Sequence, residues 1–432
     1  MKTKPAAAAL ALLLAASCAM RGGGPPNIVV IVIDSLRAGN LSCYGYHRTT
    51  SPSIDSLASR GTMWTACVSQ APWTLPSFAS ILTGTTPRSH GAGRRRNQEY
   101  GIPPAAPYLP DLLREEGYAT YGHLNVSFID EGHGFMRGFQ SFRCENAGDA
   151  DADEVVDRFT DWADSREDDG PFFALLHLFD PHQHYAPPAP YDTLFGPDPE
   201  VDRHAWEVDG TGRPLDTENL EHYMALYDGE IAFADAEVGR LLGYLRDRGL
   251  DERTLVVVVA DHGEEFLEHG GVDHGHTFYQ ELLHVPLIIS GPGVPRGCTD
   301  SSWVGSYDLS PTLLRLAGVS VPQVMEGIDL LTDPEEIRII PSSGVIIAPR
   351  NLHRPWNCSV LRGGVKTYRL KEGGEVEDLS TDLARDPMET NLTAGGDSTL
   401  VDAYMTSPRL WEPVRADCEG TDRERLRDIG YF

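Results

Sequence analysis

Two stretches of this chain leave little freedom in its fold. Asn27 to Asp34 reads NIVVIVID, and the run from Thr254 reads TLVVVVADHG. Each is continuously apolar and β-branched, as in a strand covered on both faces; a strand with one wet face would alternate. PFFALLHLFD from Pro171 and HVPLIISGPG from His284 repeat the pattern, and GYATYGHLN from Gly117 is a shorter candidate. Helix-period segments lie between them: SIDSLASRG after Ser53, LPSFASILTG after Thr74, YLPDLLREEG from Tyr108, and a long one ending at Gly249. Strands alternating with helices predict an α/β fold, with a large, mostly parallel sheet flanked by helices.

Past DLSPTLLRLAG the texture changes. GVIIAPRN, SVLRGGVKTYRL and EVEDLST are short strand candidates separated by glycine turns. They predict a small C-terminal α+β subdomain with an antiparallel sheet over residues 333–432, after a catalytic domain over 22–332. The acid-dense ENAGDADADEVVDRFTDWADSREDDG carries Val155, Val156, Phe159 and Trp162 at helical spacing, so it reads as an exposed helix.

A net charge of −28 over 432 residues argues against nucleic acid as a partner, since like charge opposes the approach of a polyanion. An anionic substrate then needs a local positive centre such as a metal ion. Residues 1–21 place two lysines ahead of an apolar run ending in small residues, the pattern of a signal peptide. Cys18, after Ala-Ala-Ser, resembles a bacterial lipoprotein processing site. The expectation is a chain outside the cytoplasm, in the periplasm or cell envelope, with a lipid anchor at Cys18. Setting Cys18 aside leaves Cys43, Cys67, Cys144, Cys298, Cys358 and Cys418, an even set that an oxidising compartment permits to pair.

Ligands of open parallel sheets sit beyond the carboxyl ends of the strands. Asp34 closes the first run, and Asp261 and His262 close the second. Asp180 and His182 follow the third, and Asn125 follows the shorter strand. One aspartate so placed is more often a helix cap; four polar strand ends together mark a site. Thr74, in SQAPWTLPSFASILTG, stands at the mouth of a helix. It reads either as an N-cap, worth about 1 kcal/mol, or as a nucleophile at the positive helix end, where an anion binds. Nothing local separates the two.

The surrounding segments do. NIVVIVIDSLRAGNLSCYGY, TSPSIDSLASRGTMWTACVSQAPWTLPSFASILTGTTPRSHG, HLFDPHQHYAPP, YDGEIAFADAEVGRLLGYL, VVVVADHGEEFLEHG, HTFYQELLHVPLIISGPG and DLSPTLLRLAG, in this order, resemble the sulfatase family of the alkaline phosphatase superfamily. The resemblance implies an alkaline-phosphatase-like sandwich that hydrolyses or transfers ester groups. It implies one divalent cation (Mn2+, Mg2+, Zn2+ or Ca2+) held by Asp34, Thr74, Asp261 and His262. Thr74 would be the nucleophile, and His182 would contact the ester oxygens. His274 or His276 lies near where sulfatases keep a substrate-binding lysine, and Asn125 is a further candidate contact. Asp180 and His184, with His274 or His276, are the residues of an alternative with a second metal, as in two-metal relatives, but one metal matches the motifs better.

The chain departs from the family at three places. Thr74-Leu75-Pro76-Ser77-Phe78 stands where a C/S-x-P-x-R motif is converted to formylglycine, Ser35 replaces a second aspartate, and GHLNVS lacks the basic pair of GKWHxG. Together these imply plain threonine chemistry, resembling the lipoteichoic acid synthase and phosphoethanolamine transferase branches. A threonine adduct cannot collapse to an aldehyde. It must be cleared by direct attack on phosphorus or sulfur, which suits phosphate esters better than sulfate esters. The expected activity is hydrolysis or transfer of a phosphate or sulfate ester of a lipid headgroup or glycan. The alternatives are a sulfatase proper, acting on carbohydrate or aryl sulfates, and a pseudoenzyme that binds without turnover. If Cys18 is lipidated, Cys18→Ser shifts the protein from the membrane to the soluble fraction. Unchanged fractionation, or a mature N-terminus elsewhere, excludes the tether.

Overall fold

The computed structural model describes residues 24–95, 98–126, 129–145, 150–201, 214, 217–332, 337–344, 356–372 and 375–416. The signal segment with Cys18, the thiol Cys418 and all of GVIIAPRN beyond Gly344 lie outside the described residues. The apolar runs assemble into one eight-stranded sheet: β1 (Asn27–Ile33), β2 (Thr62–Val68), β3 (Ala119–Leu124), β4 (Ser141–Cys144), β5 (Phe172–Leu178), β6 (Thr254–Ala260), β7 (His284–Ser290) and β8 (Cys298–Gly305). Their order is β8-β2-β7-β6-β1-β5-β3-β4. Only β7 runs against its neighbours, pairing antiparallel with β2 and β6; the other pairings are parallel. Its sequence is as apolar as β1 or β6, and an apolar run carries no record of strand direction. Edge strand β8, CTDSSWVG, is exposed over much of its length and so gives no apolar run to read.

Every residue of β1, β5 and β6 is buried. Each such valine, leucine or isoleucine contributes about 1.5–3 kcal/mol of transfer free energy, so the three strands fix the centre of the molecule. Their ends are level. Ile33 pairs with Leu178 on one side and with Ala260 on the other, and the Asp34 N–H continues the ladder to Leu178 O at 2.9 Å. Asp34 and Asp261 are thereby delivered to one edge.

Helices α1 (Pro52–Arg60), α2 (Thr74–Thr83), α3 (Leu109–Glu115), α4 (Ala152–Asp164), α5 (Leu220–Asp247) and α6 (Leu309–Leu316) connect the strands. All ten residues of α2 are buried, and it ends at Gly84 with φ 63°, a left-handed cap that glycine adopts at no steric cost. The acidic helix α4 buries Val155, Val156 and Phe159, as its spacing predicts.

The C-terminal strands β9 (Ile339–Ser343), β10 (Trp356–Arg362), β11 (Val365–Glu372), β12 (Glu375–Asp382) and β13 (Thr393–Ala394) form a second, antiparallel sheet. Its Ile340, Leu361, Tyr368, Leu370 and Leu379 share an apolar cluster with Val68, Phe278, Tyr279, Leu283 and Tyr307. The small sheet therefore rests on the chain segment that leads into β7. The described cysteines Cys43, Cys67, Cys144, Cys298 and Cys358 are all free thiols, so none of these five pairs with another.

Gly263 follows directly on Asp261 and His262, and its N–H bonds Leu282 O at 2.9 Å. A Cβ there would lie 2.1 Å from Glu281 O. Gly263→Ala must push these two backbones apart and is expected to lower stability by about 1–3 kcal/mol in urea unfolding. A wild-type unfolding curve would show that the strand exit tolerates a side chain.

Candidate active site

Asp34, Asp261 and His262 offer three ligand atoms within 4.8 Å of one another, all on fully buried residues. Their hydrogen bonds fix which lone pairs point inward. His262 Nδ1–H donates to Gly263 O at 2.9 Å, so a neutral ring keeps its bare Nε2 for the centre. That nitrogen lies 3.2 Å from Asp261 Oδ2, 3.5 Å from Asp34 Oδ1 and 3.3 Å from Thr74 Oγ1. Burial pushes the His262 pKa down to about 3, so the ring is neutral at physiological pH. Asp261 Oδ2 has no hydrogen-bond donor among the described residues. Burial, and then the charge of Asp34, pushes the Asp261 carboxyl well above the usual carboxylate range. Oxygen and nitrogen lone pairs thus converge on one point, and without a cation the crowding favours a proton on Asp261. A divalent cation fits this donor set of carboxylate oxygens, one imidazole and one hydroxyl.

The supporting residues orient these ligands. His177, the penultimate residue of β5, accepts the Asn125 N–H on Nδ1 at 3.2 Å and donates Nε2–H to Asp34 Oδ2 at 3.1 Å. Burial disfavours the Asp34 charge, but the His177 bond and the surrounding histidines outweigh it and hold the carboxyl well below its usual range. Phe78 packs edge-on against the His177 ring, with centroids 4.8 Å apart. The position of the family's arginine is thus filled by an apolar contact that steadies a residue bonded to a ligand. Ser35 has φ 55°, a backbone that costs a non-glycine residue about 1–3 kcal/mol. It is held there because its N–H donates to Asp261 Oδ1 at 3.3 Å, its hydroxyl to Asp34 Oδ1 at 3.1 Å, and its C=O accepts the Tyr227 hydroxyl at 2.8 Å. Ser69 donates to Asp261 O and sits 2.9 Å from the Ser77 hydroxyl of α2, tying the helix to the strand end.

Thr74 is the first residue of α2, and the N-cap is Trp73, with no side-chain cap bond. The cap reading of Thr74 therefore fails: its hydroxyl faces His262, and its backbone is already helical.

Of the two candidate histidines, His274 reaches the cluster. Its ring lies over His262 at 4.2 Å between centroids and meets His182 edge-on at 5.0 Å. Its Nδ1 is 2.8 Å from Asp273 Oδ1 and 3.4 Å from Glu264 Oε1. Burial opposes its charge, yet these two carboxylates hold its pKa well above the ordinary value, so His274 is a cation. His276 instead bonds Glu265 Oε2 at 2.6 Å. His182 stacks on Phe179 at 4.4 Å and donates Nδ1–H to Gln183 O at 2.6 Å; burial lowers its pKa to about 4. The Asn125 side chain donates to Ala150 O, while its backbone serves His177. Asp180 accepts the Ala152 N–H at 3.1 Å. Among the described residues, Asp180 and His184 join no group of three metal-competent side chains.

Sequence reading missed His177, Glu264 and Asp273. Glu264 lies inside VVVVADHGEEFLEHG and Asp273 falls between two quoted segments, but only the fold shows that both meet His274. Wild-type protein is expected to carry one divalent ion per chain by elemental analysis, and Asp261→Ala to lose it. His177→Leu should weaken metal affinity roughly 10–100-fold. Equal metal content and affinity in all three would remove the assignment.

The sulfatase family model matches residues 26–319. Over 460 aligned residues the chain is 26% identical to the delta 4,5-hexuronate-2-O-sulfatase of Bacteroides thetaiotaomicron, covering 92% of each. It is 33% identical to bovine arylsulfatase K over 202 residues, a match that spans 43% of this chain and only 35% of that relative. Solved structures share the fold. One, bound to its substrate D-glucosamine-2-N,6-O-disulfate, has a TM-score of 0.71 at 20% identity, covering 88% of this chain and 95% of its own. The phosphonate monoester hydrolase of Agrobacterium radiobacter has a TM-score of 0.66 at 19% identity, covering 88% and 93%. With the family pattern running through the strands and helix that carry Asp34, Thr74, Asp261 and His262, the chain belongs to the sulfatase family.

Proposed function

We propose that the protein hydrolyses a singly charged ester, foremost a carbohydrate sulfate, with Thr74 as nucleophile. The observation that carries this reading is the Thr74 hydroxyl, 3.3 Å from His262 Nε2 and beside two buried carboxylates. Carbohydrate sulfatases among the relatives support the sulfate assignment.

Charge supports the restriction to monoanions. The leading cationic influences on Asp34, Asp261, Glu264 and Asp273 are histidines. Arg37 is engaged by Glu268 at 2.7 Å, and Lys366 by Glu389 at 3.1 Å. One divalent ion would balance Asp34 and Asp261, leaving His274, itself flanked by carboxylates. Such a site suits a sulfate monoester, a phosphodiester or a phosphonate monoester better than a doubly charged phosphate monoester.

A bound divalent cation would lower the Thr74 hydroxyl pKa and neutralise charge on the ester's non-bridging oxygens. Thr74 Oγ1, its proton released to solvent, attacks sulfur or phosphorus, and the bond to the leaving oxygen breaks. His274, held protonated by Asp273 and Glu264, gives its proton to that oxygen. Water then attacks the central atom and the bond to Thr74 Oγ1 breaks; one proton of that water restores His274, and Thr74 regains its hydroxyl proton from solvent. Phosphorus is the second reading, favoured by Thr74 and Phe78 standing where formylglycine chemistry has Cys or Ser and Arg.

The test is a chromogenic panel on metal-loaded protein: aryl sulfate, aryl phosphonate monoester, phosphate diester and phosphate monoester, with sulfated monosaccharides alongside. Turnover of a monoanionic ester should exceed that of the phosphate monoester at least tenfold. Thr74→Ala should cost roughly a thousandfold or more, and Thr74→Ser should retain measurable activity. Preference for the dianion would overturn the charge argument. Full activity in Thr74→Ala would overturn the nucleophile.

A further inference from the structure

Residues 264–283 leave the end of β6, form a short ribbon of Glu265–Phe266 with Val272–Asp273, carry His274 back over His262, and then enter β7. The ribbon is tied internally by Glu265. Its carboxylate accepts the N–H of His269 at 3.0 Å, the N–H of Gly271 at 2.7 Å and the His276 ring at 2.6 Å. The far end is held from outside. Glu389, in the loop between β12 and β13, accepts the Gln280 N–H at 2.6 Å. Its backbone O lies 3.4 Å from His269 Nε2, and its carboxylate also takes the Tyr368 hydroxyl. Lys366, on β11, pairs with Glu389 at 3.1 Å and donates to Phe278 O and to Gln280 Oε1, the latter at 3.1 Å. Tyr279 stacks on His269 at 3.5 Å. Lys366 and Glu389 are almost wholly buried, and Glu389 sits at φ 54°, in the left-handed region that a glutamate rarely adopts.

An ion pair this deep loses hydration that its mutual attraction scarcely recovers. Its hydrogen bonds converge on one stretch, Phe278 to Gln280, only a few residues beyond His274. We infer that Lys366 and Glu389 are positioning residues, through which the C-terminal sheet sets the place of His274 over the candidate metal site. This rests on the catalytic reading of His274 given above.

The first test needs no substrate. Hydrogen exchange of the intact wild-type chain in dilute urea should show peptides covering 274–281 exchanging together with those covering 365–389. Protection of 274–281 after 365–389 has exchanged would overturn the inference even if no ester is ever turned over. The second test uses Glu389→Gln and the matched pair Lys366→Met with Glu389→Gln, which leaves no lone buried charge. On the best ester of the panel, kcat per folded, metal-loaded chain should fall tenfold or more, with KM within threefold. Glu389→Gln should add little to the loss in His274→Ala, because both act through one group. An unchanged kcat per folded chain, or losses that multiply in the combined variant, would show that the clamp only packs the sheet.

Discussion

The organising constraint is the meeting of Asp34, Asp261 and His262 at the level ends of β1 and β6. Two buried carboxylates and a bare imidazole nitrogen repel one another, and the repulsion shows in an Asp261 carboxyl that keeps its proton well above the usual range. The sheet imposes this arrangement because its buried central strands are paired in a register that ends level, with Ile33 opposite both Leu178 and Ala260. The tension is localised by Ser35, whose N–H donates to Asp261 and whose hydroxyl donates to Asp34. A cation turns the same arrangement from a liability into a binding site.

Around that centre the chain has replaced one form of support by another. Where the resemblance leads one to expect an arginine, Phe78 packs on His177, and His177 holds Asp34. Where it leads one to expect a lysine, His274 carries the positive charge, maintained by Asp273 and Glu264. The first exchange lowers the fixed positive charge of the site, and the second leaves a cation flanked by two carboxylates. On the proposed reading, such a site favours a singly charged ester and leaves Thr74 to act without conversion to an aldehyde. The C-terminal sheet belongs to the same account, since Lys366 and Glu389 reach across to the segment that bears His274.

Much of this was legible before any coordinates. Runs such as NIVVIVI and TLVVVVA can only be central strands, and the polar residues that end them had to gather at one edge. The direction of β7 was not legible, because HVPLIIS looks the same read as a parallel or an antiparallel strand. His177 was hidden for a related reason: one histidine in an apolar strand reads as a tolerated core residue, and only the pairing of β1 with β5 places it against Asp34. The choice between His274 and His276 turned on a two-residue register that sequence spacing cannot fix. The Glu265 bond to His276 decides it. The cap or nucleophile question at Thr74 depended on helix phase, which begins one residue earlier than a threonine cap would require.

The central claim is that an unmodified Thr74 carries the covalent intermediate. The direct measurement is rapid acid quench during turnover of the preferred ester, followed by peptide mass spectrometry of the segment around Thr74. The account predicts intact threonine in the resting protein and a transient sulfuryl or phosphoryl adduct on Thr74, formed and lost at rates compatible with kcat. An adduct on another residue, an oxidised side chain at Thr74, or steady turnover with no adduct detectable at any time would contradict it.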